Sequence, residues 1–483
     1  MTPFSTGAPR PGLPVLQAFR STRVVTPDGV RPATVLVEYD RILTVAPWER
    51  VPSGVALHDF GDHILLPGLV DTHVHINDPG RDWEGFETAT KAAASGGVTT
   101  LVDMPLNCRP ETLDLEALDA KRAAARGNTY VDWATWGGIV GNATAPDNLT
   151  HIPELAAAGL PGFKVFLVHS GIDTFAWTDE PRLRQALAVL EEIGTDLPLL
   201  AHAELAAPIE HATANLQSAD WRRYSTYLAS RPDQSETAAI NLLISLAAEF
   251  QTPIHIVHLA TTEALEAIRS ARAAGLPITV ETCPHYLWFS AEDIPDGATQ
   301  YKCAPPIRSA ANREALWQAL REGLIDLIAT DHSPCPPALK HLAPNDPDAG
   351  LFDRAWGGIA SLGLALPILF TGLTTRYGSS NDHFRDLARW LSSEPARLAS
   401  LTGRKGAIAP GCDADFAVFD PNPLWTVTES DLHFRHKISP YLGAQLRGRI
   451  LETWLRGHRI FDSFENPPHL FSTPPGLELR LNP

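Results

Sequence analysis

His73 and His75 stand two residues apart just after an apolar run, Ile64-Leu65-Leu66-Pro67-Gly68-Leu69-Val70, that reads as a buried strand. Residues i and i+2 of a strand share a face, so both imidazoles point the same way and could hold one divalent cation. Taken alone, the pair fits equally well as two hydrogen-bonded residues at a strand terminus. Four further segments add to it. Gly162-Phe163-Lys164-Val165-Phe166-Leu167 carries a lysine inside an apolar run, where an unpaired ammonium is costly. Leu197-Pro198-Leu199-Leu200-Ala201 delivers His202. Ile254-His255-Ile256-Val257-His258 holds two histidines three apart, on opposite sides of a strand. His258 is nearer the strand end and is the candidate ligand, which leaves His255 as a packing or surface residue. Leu327-Ile328-Ala329-Thr330 delivers Asp331. His169, His285 and His332 stay outside the ligand set.

Imidazole nitrogens with a carboxylate and no thiolate suit zinc, with cobalt, manganese or iron as other ions that such donors hold. Lys164 is the odd member, since an ammonium has no lone pair for a cation. Carbamylation by CO2 would convert it to an anion with two oxygens able to bridge two metals. Charge favours this: a carbamate, Asp331 and a hydroxide offset most of the charge of two divalent ions. The remainder is available to polarise a carbonyl.

These residues need a frame that brings strand ends together. From about residue 67 to about 400, strand-like and helix-like segments alternate. The strand candidates after the first are Thr99 to Pro105, Asp132 to Val140, Gly162 to Val168, Leu197 to Glu204, Pro253 to Ala260, Pro277 to Tyr286 and Asp326 to Ser333. Helical patterns between them include Trp83 to Ser95, Thr262 to Arg272 and Ala310 to Arg321, the last preceded by Ser309 and followed by Gly323. Eight βα units in series predict an α/β fold of the (β/α)8 barrel type, with the site at the C-terminal ends of the strands. A doubly wound open sheet is the alternative, but no GxGxxG turn follows any strand. Short β-rich runs flank this series on both sides, at Ala33 to Val37 and Arg41 to Val45, then at Asp415 to Phe419 and Ile450 to Leu455. Neither flank has enough apolar surface to stand alone, so the chain ends are expected to meet in one small β domain. The division is a loose tail over 1–15, the β domain from 16–66 and 404–483, and the barrel over 67–403.

Composition narrows the function classes. The net charge of −17 argues against nucleic acid or an anionic membrane surface as partner. The five cysteines are scattered and form no CxxC pair, so neither a disulfide framework nor a thiolate zinc site is expected, and a cytoplasmic setting is. The longest apolar stretch, Ile359 to Leu373, contains Pro367 and is too short for a membrane span of about 20 residues.

The chain resembles the cyclic amidohydrolases of the amidohydrolase superfamily, and among them it is most similar to the allantoinases. The segments that carry the likeness are PGLVDTHVHINDPGRDWEGFETAT (67–90), GGVTTLVDMPLN (96–107), GFKVFLVHSG (162–171), VETCPHYL (280–287), KCAPPIR (302–308), TDHSP (330–334), AWGGIASL (355–362) and KGAIAPGCDADF (405–416). The resemblance implies a (β/α)8 barrel with a small β-sandwich domain and a binuclear metal centre. His73 and His75 would hold one metal with Asp331. His202 and His258 would hold the other, and Lys164, as N6-carboxylysine, would bridge the two. The reaction implied is hydrolysis of allantoin, opening its hydantoin ring to give allantoate, with Asp331 moving the proton. A homotetramer acting on a small-molecule substrate is implied as well.

Three positions bear on the substrate. Dihydroorotases carry an arginine two residues after the second histidine, where it binds a carboxylate; here Asn77 suits an uncharged ring. Dihydropyrimidinases and hydantoinases carry a tyrosine five residues after the bridging lysine; here the position is His169. Cys303 falls where relatives offer backbone groups to the ring, with Asn107 and Arg81 as weaker candidates. The alternatives are a hydantoinase or dihydropyrimidinase, then a dihydroorotase. A non-catalytic scaffold related to these enzymes is more remote, because the ligand set is complete.

Overall fold

A computed structural model describes residues 15–194, 197–464, 469–470 and 474–481. The loose tail expected over 1–15 lies, but for Val15, outside the described residues.

Eight parallel strand positions succeed one another around a barrel. They are Leu69–Val74, Val98–Asp103, Asp132–Thr135, Phe163–Phe166, Leu199–His202, Ile254–Ile256, Ile278–Thr282 and Leu327–Ile328. Neighbours pair in parallel along the series. Gly137–Gly138, just beyond the third strand, joins it to the fourth through Phe163 and Lys164. The ring closes where Val74 bridges His332 and the His75 N–H donates to the His332 carbonyl at 2.8 Å. The closure therefore falls beside three of the candidate ligands, His73, His75 and Asp331.

The strands are shorter than the apolar runs that predict them, and one run divides. Ile64–Pro67 pairs antiparallel with Phe416–Phe419, whereas Leu69–Val74 pairs parallel with Val98–Asp103. The stretch read as one strand is thus two, in two sheets, with Gly68 between them. A Cβ at Gly68 would lie 2.3 Å from Thr99 Oγ1 and 2.8 Å from Asp415 Cβ, so the crossing has no room for a side chain.

The helices follow their caps. Ala310–Arg321 begins where Ser309 accepts from the Asn312 N–H at 3.2 Å. Two others start later than expected, at Phe86 and Leu265, because the residues before them are used elsewhere. Trp83 packs edge-on against Trp356. The Thr262 amide and hydroxyl both donate to Asn312 Oδ1.

The chain ends build a second sheet, nine-stranded among the described residues. Its continuous path includes Leu16–Thr26, Gly29–Glu38 and Arg41–Ala46 from the first end, and Phe416–Thr426, Gln445–Leu455 and His458–Asp462 from the second. It has a core of its own that includes Phe19, Val35, Leu65, Phe416, Val418 and Trp454. Lys405 ties it to the barrel, reaching Asp132 of the third barrel strand at 2.7 Å together with Asp413 at 2.8 Å and Asp415 at 2.7 Å. Among the described residues no helix is long and apolar enough to cross a membrane.

Candidate metal centre

His73 and His75 leave the first barrel strand on one face, as their spacing requires, and meet Asp331 from beyond the eighth. Each Nε2 lies 3.3 Å from Asp331 Oδ1, and the three side chains are buried. Their donor atoms lie within 4.8 Å of one another, close enough for one cation. The remaining imidazoles adjoin them: the His73 and His258 ring centres are 5.4 Å apart, and those of His258 and His202 are 4.6 Å apart.

His258 reaches this cluster by a route that strand alternation does not describe. The sixth strand ends at Ile256, and His258 has a left-handed backbone, φ 40°. Asp331 (φ 45°), Asn77 (φ 63°) and Asn107 (φ 69°) share this conformation, which is uncommon outside glycine and concentrates at functional sites. The other histidine of that strand, His255, is fully buried, with Nδ1 2.8 Å from Thr279 Oγ1 and Nε2 donating to Glu281 at 3.1 Å. It is a packing residue and not a surface one.

The hydrogen bonds behind the imidazoles fix which nitrogen faces the cluster. His73 Nδ1 donates to Glu281, leaving the Nε2 lone pair free. His202 Nε2 donates to Glu204 at 2.8 Å, leaving Nδ1. His75 Nδ1 lies 3.3 Å from the amide of Asn107, whose oxygen is otherwise buried without a partner. A half-turn of that amide places the oxygen on Nδ1–H and frees Nε2. Carboxylates or amides behind ligating imidazoles are the usual means of fixing tautomer and orientation.

The electrostatics suit a cation. Burial works against the charged forms of His73 and His202 and brings His258 well below the ordinary histidine value, which favours the lone-pair-bearing form a cation requires. Burial works to raise the Asp331 carboxyl, but the imidazoles of His73, His75 and His258 overcome it and hold the group well below its ordinary range. Glu281 shows the same balance, with His73 and His255 outweighing burial.

Lys164 is fully buried and its Nζ has no hydrogen-bond partner among the described residues. Burial brings the amine down to about 8, against the pull of Glu281 and Asp331. A neutral amine is therefore accessible near neutral pH, the form that adds CO2. His73, His75 and Asp331 are a donor set that fits a bound cation, and the buried lysine beside them has no hydrogen-bond partner among the described residues to hold it as an ammonium.

The donor set opens into a cavity of about 460 Å³. Its wall includes Asn107, His169, Tyr227, Arg231, Lys302 and Trp356. The residues singled out for the substrate fare unevenly. Asn77 is fully buried, donates from Nδ2 to the Pro334 carbonyl at 3.5 Å and does not line the cavity, because its left-handed backbone turns it into the loop. Asn107, the weaker candidate, does line it. His169 stands at the rim with its side chain 58% exposed, Nε2 3.3 Å from Asp173. Cys303, expected to meet the ring through its main chain, is buried, and its carbonyl accepts from the Tyr227 hydroxyl at 2.7 Å. Arg81 stacks on Trp83.

Glu281 and Glu204 are the residues that sequence reasoning passed over. A signal was there: Glu281 is a charge inside a strand whose neighbours Val280 and Thr282 are buried, a weaker form of the anomaly that singled out Lys164. Glu204 follows His202 at the i+2 spacing that singled out His75.

A (β/α)8 barrel with histidines, a lysine and an aspartate gathered at its strand ends defines the class of barrel hydrolases that work through bound metal. Residues 64–460 match the model of the Amidohydrolase family, and the chain belongs to that family. It is 45% identical to an allantoinase of Streptomyces avermitilis over 466 residues, covering 96% of this chain and 98% of the relative. It is 43% identical to an allantoinase of Saccharomyces cerevisiae, covering 92% and 95%. Among solved structures it is similar to an L-hydantoinase (dihydropyrimidinase) from Arthrobacter aurescens, with a TM-score of 0.86, 28% identity and coverage of 96% and 99%.

Proposed function

We propose that this protein opens the hydantoin ring of allantoin by metal-dependent hydrolysis, giving allantoate. The observation that carries the reading is the meeting of His73, His75 and Asp331 with a buried, unpartnered Lys164 behind one cavity. That these donors belong to a chain whose near full-length relatives are allantoinases selects the substrate.

His73, His75 and Asp331 would hold one cation, His202 and His258 a second, and carboxylated Lys164 would bridge them. Bound there, two divalent ions, zinc by the donor types, would supply a nucleophilic water at neutral pH and polarise the ring carbonyl. Asp331 takes the proton from the attacking water and returns it to the ring nitrogen as the carbon–nitrogen bond breaks. Ser333 donates to Asp331 Oδ1 at 2.9 Å, which leaves Oδ2 for the transfer. Glu281 and Glu204 keep His73 and His202 in the tautomers that present a lone pair. The product is a carboxylate plus a freed urea nitrogen.

The hydantoinase reading has the structural likeness in its favour, but at 28% identity against 45% for an allantoinase, and with His169 at the position of the hydantoinase tyrosine. A homotetramer follows from the family resemblance. A cytoplasmic setting suits five cysteines that are all buried and free. The test assays metal-replete protein against allantoin, hydantoin, dihydrouracil and dihydroorotate in parallel. Allantoin should be turned over with the highest kcat/KM. Turnover of dihydrouracil without turnover of allantoin would transfer the protein to the alternative.

A further inference from the structure

The cavity wall carries a cation that the hydrolytic chemistry does not use. Lys302, in the segment after the seventh strand, lines the cavity. Its Nζ donates to the Ala355 carbonyl at 2.6 Å and lies 5.3 Å from the centre of the Tyr227 ring. It shares this wall with His73, His75 and Asp331, and its charged neighbours are Lys340, Arg231 and Asp353.

Pairing and donor count set it apart from its cationic neighbours. Arg231 keeps unused N–H groups, but its charge is paired with the Glu204 carboxylate through Nε at 3.1 Å and Nη2 at 2.5 Å, whereas no carboxylate pairs with Lys302 among the described ion pairs. Lys340 donates to the carbonyls of Trp356 at 2.9 Å and Gly358 at 2.6 Å, with Lys302 at 3.4 Å. An ammonium has three donors, and among the described residues Lys302 has one acceptor. Burial and the two neighbouring cations bring its amine down to about 7, and an added carbonyl acceptor would favour its charged form.

We infer that Lys302 is a specificity-determining residue that donates to the carbonyl oxygen of the ureido arm outside the ring, an inference that rests on the allantoin reading. The scissile ring carbonyl must face the donor set, so a substituent on the adjacent ring carbon projects along the wall. A urea oxygen is a strong neutral acceptor of the kind that Lys302 already meets in the Ala355 carbonyl.

The experiment measures steady-state kinetics of allantoin, and the Ki of hydantoin as a competitive inhibitor, in wild type, Lys302→Met and Lys302→Arg. Hydantoin has the ring and lacks the arm. Loss of a hydrogen bond from a charged donor should raise the KM for allantoin in Lys302→Met by about 10- to 100-fold, with kcat within about threefold. The hydantoin Ki should be unchanged, and Lys302→Arg should retain most of the affinity. If Lys302→Met does not fold, Lys302→Gln, which keeps an N–H, is read in its place and should show a smaller rise confined to allantoin. Equal weakening of both molecules, or a fall in kcat alone, would overturn the assignment and make Lys302 a clasp for the loop at Ala355. Wild-type protein inactive on allantoin would instead overturn the functional reading on which the assignment stands.

Discussion

Glu281 holds three parts of the candidate centre at once. It accepts from His73 Nδ1, from His255 Nε2 and from the backbone N–H of His258 at 3.2 Å. Glu281→Gln would replace one of its acceptor oxygens with a donor. Metal affinity should fall about 10- to 100-fold, the usual cost of losing a partner behind a ligand, as read by competition with a chromogenic chelator. Lys164→Ala should lose bound metal and activity together, both partly restored by a short added carboxylic acid. Full activity without the additive would contradict the bridge. At this scale the sequence reads well where a residue is chemically out of place, as Lys164 is in its strand. It reads poorly where backbone conformation decides. His258 and Asp331 turn inward and Asn77 turns into its loop through left-handed backbones, and alternation along a strand carries no information about that.

The element that governs the frame is the short run from Ile64 to Val74. Hydrophobicity marks it as buried but cannot show that it serves two sheets. Gly68 is the sign of the division, since only the absence of a side chain lets the chain pass between Thr99 and Asp415. Gly68→Ala should destabilise the protein by about 1–3 kcal/mol through overpacking, measured as a lowered urea midpoint with an unchanged slope. Most of the barrel positions are legible because they follow a turn or a helix and carry buried apolar residues. Their ends were not. Thr262 and Trp83 continue the helical pattern, yet tertiary contacts to Asn312 and Trp356 take them out of their helices.

For the molecule as a whole, Lys405 and its carboxylates join the barrel to the sheet made by both chain ends. Burial alone would raise Asp132, but Arg456 and Lys405 hold it below the ordinary carboxylate range. Burial alone would lower Lys405, but Asp132, Asp413 and Asp415 hold it above the ordinary amine range. Asp415 itself shifts upward, burial prevailing there. A depressed carboxylate contributes stability that is complete above its unfolded pKa of about 3.9 and is lost as pH falls through the folded value. A raised amine contributes stability that is complete below its unfolded pKa of about 10.4 and is lost as pH rises through the folded value. Lys405→Met removes the shared cation and should cost about 3–5 kcal/mol at pH 7. In urea melts the deficit should shrink below pH 4 as the stranded carboxylates take up protons. A deficit that is the same at pH 7 and pH 3 would show that the cluster is not held together by charge.

The account stands on a centre of two cations bridged through Lys164. Metal-free protein titrated with Zn2+ in bicarbonate buffer, with allantoin ring opening as the readout, tests it most directly. Activity should climb to a plateau at about two ions per chain and should be slow to appear when CO2 is excluded. A plateau at one ion per chain, or full activity in metal-free protein, would contradict it.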